Sequence, residues 1–236
     1  MKGLKTIIAV LCVGIVFSSC NNTGKGAAIG SAAGTAAGAG IGALIGKLTG
    51  NTGKGALIGA AAGAVAGTTA GTLIGRKMDK AAKAAAAVAN AQVETTKDAN
   101  GLEAVKVTFD NGILFATGKF DLQSGAQSSL KQFANNVLNV YTDCDVAICG
   151  FASSDGSEAT NLTLSQNRAS SVRNYLIGSC GVNANQIRST QGYGENPEYL
   201  IRNANGTENM AASRRVEVYL YASEAMIKAA QAGTLQ

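Results

Sequence analysis

The chain has 236 residues with no His, no Trp and a single Pro, and its 20 basic and 15 acidic side chains give a formal net charge of +5. Lacking His, it lacks the commonest general base and the commonest metal ligand, which argues against an enzyme, a metal site or another cofactor. The positive charge is small and scattered, which argues against a nucleic-acid partner.

Met1–Lys5 is a short basic start, and residues 6–17 (TIIAVLCVGIVF) form an apolar run of 12. That is too short to span a bilayer as a helix and has the length of a signal-peptide core. It ends in Ser18-Ser19-Cys20, followed by the polar Asn21-Asn22-Thr23. The stretch resembles the lipobox of bacterial lipoproteins, with Phe17 where Leu is usual. The resemblance implies a signal peptide over 1–19, lipidation of Cys20, and residence in the outer membrane facing the periplasm, with outer-membrane lipid as a partner. Two or more acyl chains hold a protein firmly where one does not. An ordinary signal peptide cut nearby is the plainer alternative.

More than half of the 30 glycines lie between Gly24 and Gly75. Residues 23–50 and 52–79 align at an offset of 29 with 16 of 28 positions identical. In the second copy glycine recurs at 55, 59, 63, 67, 71 and 75. A period of four places these residues along one face of a helix. Glycine costs a helix up to about 1 kcal/mol relative to Ala, so such a row needs close backbone packing in apolar surroundings to compensate. Residues 20–79 are therefore expected to carry the lipid anchor and a helical hairpin packed along its glycine rows. A flexible Gly/Ala linker is the alternative. The segment resembles the glycine zipper of OmpA-like lipoproteins, and it also admits a homo-oligomer. The Ala-rich residues 80–100 read as a solvated helical spacer.

From residue 101 the texture becomes that of a compact α+β domain. LEAVKVTF (102–109) alternates as a strand and Asp110-Asn111-Gly112 is a turn. Helical spacing runs from Leu122 to Tyr141, DVAICG (145–150) is a buried strand, and Glu158–Gly178 is a second helix. Residues 186–194 and 214–222 supply the last strands, and 223–236 reads as a C-terminal tail. The order is β-α-β-α-β with the helices on one face.

Within this domain Gly150, Gly156, Asn161, Leu164, Ser165, Arg168, Ala169, Val172 and Leu176 stand at the spacing of a family signature, followed by GYGENP (192–197) and SRRVEV (213–218). Residues 101–222 thus resemble the OmpA-like peptidoglycan-binding domain, a two-layer α+β sandwich. The resemblance implies binding of the diaminopimelate side chain of peptidoglycan, with an Asp of the first loop on its ammonium and the signature Arg on its carboxylate. Arg gives the carboxylate a planar two-point contact that Lys cannot copy. Arg168 matches that Arg. The Asp does not: Ser153 stands at its position, Phe151 replaces a His, and Asp155 is the nearest carboxylate. The candidate wall-binding residues are Arg168, Asp155, Ser153, Asn161 and Arg215. A structural salt bridge is the alternative role for Arg168, and capping the following helix is the alternative for Asp155.

The implied function is a tether from outer membrane to cell wall, with peptidoglycan as partner. The alternative is a membrane-active zipper oligomer that the wall domain only localises. Of the cysteines beyond Cys20, Cys144 enters the second strand and Cys180 ends the helix running back beside it. An exported chain permits a disulfide between them, leaving Cys149 free.

Overall fold

The computed structural model describes residue 65, residues 67–98 and residues 101–235. The expected signal peptide, the lipidation of Cys20 and most of the glycine-zipper hairpin lie outside the described residues. Among the described residues, no helix is long and apolar enough to cross a membrane.

The first described helix, α1 (Thr69–Ala86), buries Ala70, Ile74, Met78, Ala81 and Ala85 on one stripe. Three- and four-residue spacing keeps these side chains on one face, which packs on the sheet. Residues 69–79 of the second glycine copy and the start of the expected spacer are therefore one continuous helix, docked on the domain and not solvated all round. Among the described residues, the rest of the expected spacer, 87–98, is not helical. Asn90, at a φ of 62°, turns the chain, and Ala91–Lys97 is strand β1, which pairs with β2 (Glu103–Asp110) along its whole length. Val93, Thr95 and Thr96 are β-branched and suit a strand, a preference the preceding Ala-rich run hides.

A short helix, α2 (Asn111–Leu114), leads to α3 (Ser124–Phe133), whose end widens into a π-helical turn over Ala134–Leu138. Strand β3 (Cys144–Phe151) follows, then the long helix α4 (Glu158–Cys180) and strand β4 (Ile187–Gly192) parallel to β3. One turn of helix, α5 (Met210–Ser213), precedes strand β5 (Arg215–Ala222). The sheet runs β1-β2-β5-β3-β4, antiparallel except for the last pair. It is the expected α+β architecture with β1 added at one edge.

One face of the sheet carries Val105, Val107, Phe109, Val146, Ile148, Val216, Val218 and Leu220 into a core shared with the helices. Phe109 meets Phe133 of α3 edge-on at 5.6 Å. The expected C-terminal tail is mostly helix α6 (Glu224–Gln231). Ser223 caps it, Met226, Ile227 and Ala230 are buried, and it packs against α1.

The expected Cys144–Cys180 disulfide does not form, and Cys144, Cys149 and Cys180 are free, buried thiols. Cys144 sits among Asp143, Lys77 and Asp145, whereas Cys180 has Tyr175 and Lys131 as neighbours. Antiparallel direction alone does not bring the helix end over the strand start. Burial pushes the Cys144 thiol up to about 12.

Candidate functional site

The site begins with two glycines. A Cβ on Gly150 of β3 would stand 2.2 Å from Ser165 O, and one on Gly192 of β4 would stand 2.2 Å from Gln166 N. No side chain fits at either place, so α4 lies directly on the two strands. The contact is hydrogen-bonded as well: Gly194 N donates to Ser165 Oγ at 2.9 Å, and Gly192 N to Gln166 Oε1 at 2.8 Å. These bonds join the two signature stretches and fix the helix face that carries Arg168, three residues after Ser165.

The loop between β3 and α4 is braced from the helix. The Asn161 amide donates to Ser153 O at 3.0 Å and to Asp155 O at 2.8 Å, and it also meets Glu195. Gly156, at a φ of +101°, makes the turn, and Ser157 caps the helix by accepting from Thr160 N at 3.3 Å. Asp155 is therefore not the cap. Across the loop, Ser154 Oγ donates to Glu208 at 2.6 Å.

A cleft of about 510 Å³ opens between the β2–α2 turn, the 115–118 segment, this loop, the first turns of α4 and the turn before β5. Arg168, Arg214, Asp110 and Asp155 bring charge to its lining, together with Ser153 and Asn161. Arg168 is buried; its Nε donates to Lys119 O at 3.0 Å and its guanidinium lies 5.4 Å from the centre of the Phe115 ring. Burial, with the nearby Arg214 charge behind it, lowers the Arg168 pKa to about 10, so the group stays cationic at neutral pH. Arg214 donates to Ser153 Oγ at 3.2 Å and stands 3.7 Å from an Asp155 carboxylate oxygen. Asp110 accepts from Gly112 N at 2.7 Å.

Four of the five expected site residues, Arg168, Asp155, Ser153 and Asn161, line this one cleft. Arg215 does not. It opens β5 on the sheet face opposite Val216, where its Nε donates to Glu217 at 2.6 Å, its Nη1 donates to Ser213 O at 3.1 Å, and its guanidinium stacks 4.0 Å over Phe151. Glu217 also accepts from Tyr219 Oη, so the pair is internal structure. The arginine that reaches the cleft is its neighbour, Arg214, which the sequence offers in the same SRR triplet. Among the described residues, no group of His, Cys, Asp and Glu is arranged to hold a metal.

Residues 114–214 match the OmpA family and residues 1–79 match the YMGG-like Gly-zipper. The chain is 33% identical over 135 residues to outer membrane protein P5 of Haemophilus influenzae, covering 56% of this chain and 36% of that protein. It is 36% identical over 110 residues to the Escherichia coli protein named probable lipoprotein YiaD, covering 47% and 48%. The crystal structure of a MotB-like protein from Desulfovibrio vulgaris superposes with a TM-score of 0.50 at 21% identity, over 65% of this chain and 92% of that one, which speaks for the fold alone. The chain spans about a quarter to a third of the length of the outer membrane protein P5 sequences it matches.

Proposed function

Because residues 114–214 are an OmpA family domain and residues 1–79 a YMGG-like Gly-zipper, we propose that the chain binds peptidoglycan non-covalently and ties the outer membrane to the wall. The observation that carries this is the convergence of Arg168 and Arg214 on one cleft that also holds Asp110 and Asp155. Such a cleft is complementary to a zwitterion. A guanidinium forks onto a carboxylate with two parallel hydrogen bonds, and a carboxylate accepts from an ammonium.

Arg168 is the carboxylate anchor in this reading. Its Nε is committed to Lys119 O, which holds the guanidinium plane in place and lowers the cost of ordering it on binding. Asp155 of the β3–α4 loop and Asp110 at the end of β2 supply negative charge for the ammonium in place of the Asp that Ser153 replaces. Asn161 holds the loop and does not need to touch the ligand. The ligand is the diaminopimelate side chain of the wall peptide. At the other end, Cys20 carries the lipid, and the zipper and α1 lead from it to the domain. Residues 69–79 bury their apolar stripe on the domain itself, which favours the tether over a zipper oligomer for that part of the chain.

Co-sedimentation of the full chain with purified wall tests the proposal. The chain is expected to pellet with wall and to be released by free diaminopimelate. Failure to pellet, or pelleting that diaminopimelate does not compete, would reject it.

A further inference from the structure

A second hollow, of about 440 Å³, adjoins the cleft on the other side of the Thr160–Leu164 ridge of α4. Thr160, Leu164 and Gly118 line both spaces. Ala159, Thr163 and Asn167 carry the hollow along the next stripe of the helix, and Phe120 closes it from the loop. Neighbouring stripes on a helix are about 5–6 Å apart, and the four carbon–carbon bonds between the two ends of diaminopimelate span about 5 Å. A diaminopimelate whose free ammonium and carboxylate sit at Arg168 therefore brings its peptide-linked end, and the residue joined there, to the hollow.

The two spaces share a support. Arg168 Nε holds Lys119 O at 3.0 Å, and Phe120 is the following residue, so the bond that orients the anchor also sets the wall of the hollow. Phe120 is 44% exposed, a large ring left partly in water at the rim of a binding cleft. The side chains lining the hollow carry no charge, combining a ring, short alkyl groups, two hydroxyls and one amide. That chemistry suits neither an ammonium nor a carboxylate.

We infer that this hollow is a second subsite, which takes an uncharged, alkyl-bearing amino-acid residue joined by a peptide bond to the far end of the diaminopimelate whose free ammonium and carboxylate are held in the cleft. The inference rests on the wall-binding reading of the cleft and assigns the selectivity of this chain to Phe120 and to the 159–163–167 stripe. The subsite makes the chain prefer a peptide in which diaminopimelate has such a neighbour over the free amino acid.

Competition titrations with the full chain separate the two readings, using free diaminopimelate and a wall peptide containing it as probes. Phe120→Ala is expected to weaken the peptide roughly threefold to tenfold, the loss of contact with one or two methylene-sized groups, and to leave free diaminopimelate unchanged. Thr163→Arg, at an exposed helix position, fills the hollow and is expected to do the same. Wild type binding the peptide no better than diaminopimelate, or Phe120→Ala binding the peptide like wild type, overturns the subsite and leaves the cleft reading standing. Wild type binding neither probe overturns the cleft reading and the subsite with it.

Discussion

The guanidinium of Arg214 donates a 3.2 Å hydrogen bond to the hydroxyl of Ser153, so the position where the resemblance leads one to expect a carboxylate holds a neutral acceptor beside a cation. Ser153 is 2% exposed, and a charge introduced there would meet Arg214 before it met solvent.

That arrangement makes Ser153→Asp informative. A carboxylate has acceptor sites for both Arg214 and a ligand ammonium, and a hydrogen bond to a charged group is worth about 1.5–3 kcal/mol. The variant is expected to bind a diaminopimelate-containing wall peptide at least about tenfold more tightly, as measured by calorimetric titration. Unchanged or weaker binding would mean that Arg214 absorbs the new charge entirely.

The adjacent arginines should separate cleanly. Arg215→Ala leaves Glu217 buried without its partner, for which a loss of about 3–5 kcal/mol of stability is expected. Chemical denaturation reads that loss, and the fraction that stays folded should keep its affinity for the wall. Arg214→Ala, at a half-exposed position, should change stability by less than about 1 kcal/mol and weaken the wall peptide. The opposite pattern would return Arg215 to the site.

These two residues also mark where the sequence stopped being readable. Arg168 was legible because its spacing from Gly150 and Ser165 belongs to the signature. The choice between Arg214 and Arg215 was not, because a one-residue step on a strand exchanges the two faces. Strand β5 gives no help: both faces of RVEVYLYA are buried, so alternation does not say which side meets the core. The edge strand Ala91–Lys97 was hidden for a related reason, since an Ala-rich run precedes it and its pairing partner lies across the hairpin. The helix at Glu224–Gln231 is eight residues long and owes its place to packing against α1, a contact that no local pattern announces. The helix α4 was legible because its buried residues recur at helical spacing, and the strands β2, β3 and β5 because they are short runs rich in β-branched and aromatic residues.

Gly150→Ala tests the close approach that positions Arg168. The added methyl meets Ser165 O at 2.2 Å, and only backbone movement relieves it. A loss of about 1–3 kcal/mol is expected by analogy with overpacked cores, with a fall in wall affinity as α4 lifts and takes Arg168 with it. A variant as stable as wild type would show that helix and strands are not clamped there.

The thiols are expected to be free in the folded chain and slow to react. Alkylation needs the thiolate, and burial holds Cys144 up at about 12 and Cys149 well above its ordinary value. At pH 8 iodoacetamide should label them much faster in denaturant than in the native state. Because the unfolded thiol ionises near its ordinary value and the folded one does not, the unfolded state releases protons first as pH rises. The stabilising effect is complete below about pH 9 and is lost progressively toward pH 12. Intact mass after alkylation in denaturant without reductant decides the matter, and a mass showing a Cys144–Cys180 bond would contradict the prediction.

The most direct test of wall recognition is the affinity of the full chain for a diaminopimelate-containing wall peptide, compared across wild type, Arg168→Ala and Arg168→Lys. Truncating one partner of a desolvated, hydrogen-bonded charge pair costs about 2–5 kcal/mol. Arg168→Ala is therefore expected to bind on the order of a hundredfold more weakly while circular dichroism shows the fold intact. Arg168→Lys should recover only part of the loss, because an ammonium cannot hold Lys119 O and fork onto a carboxylate together. Arg168→Ala binding the peptide as tightly as wild type would contradict the account.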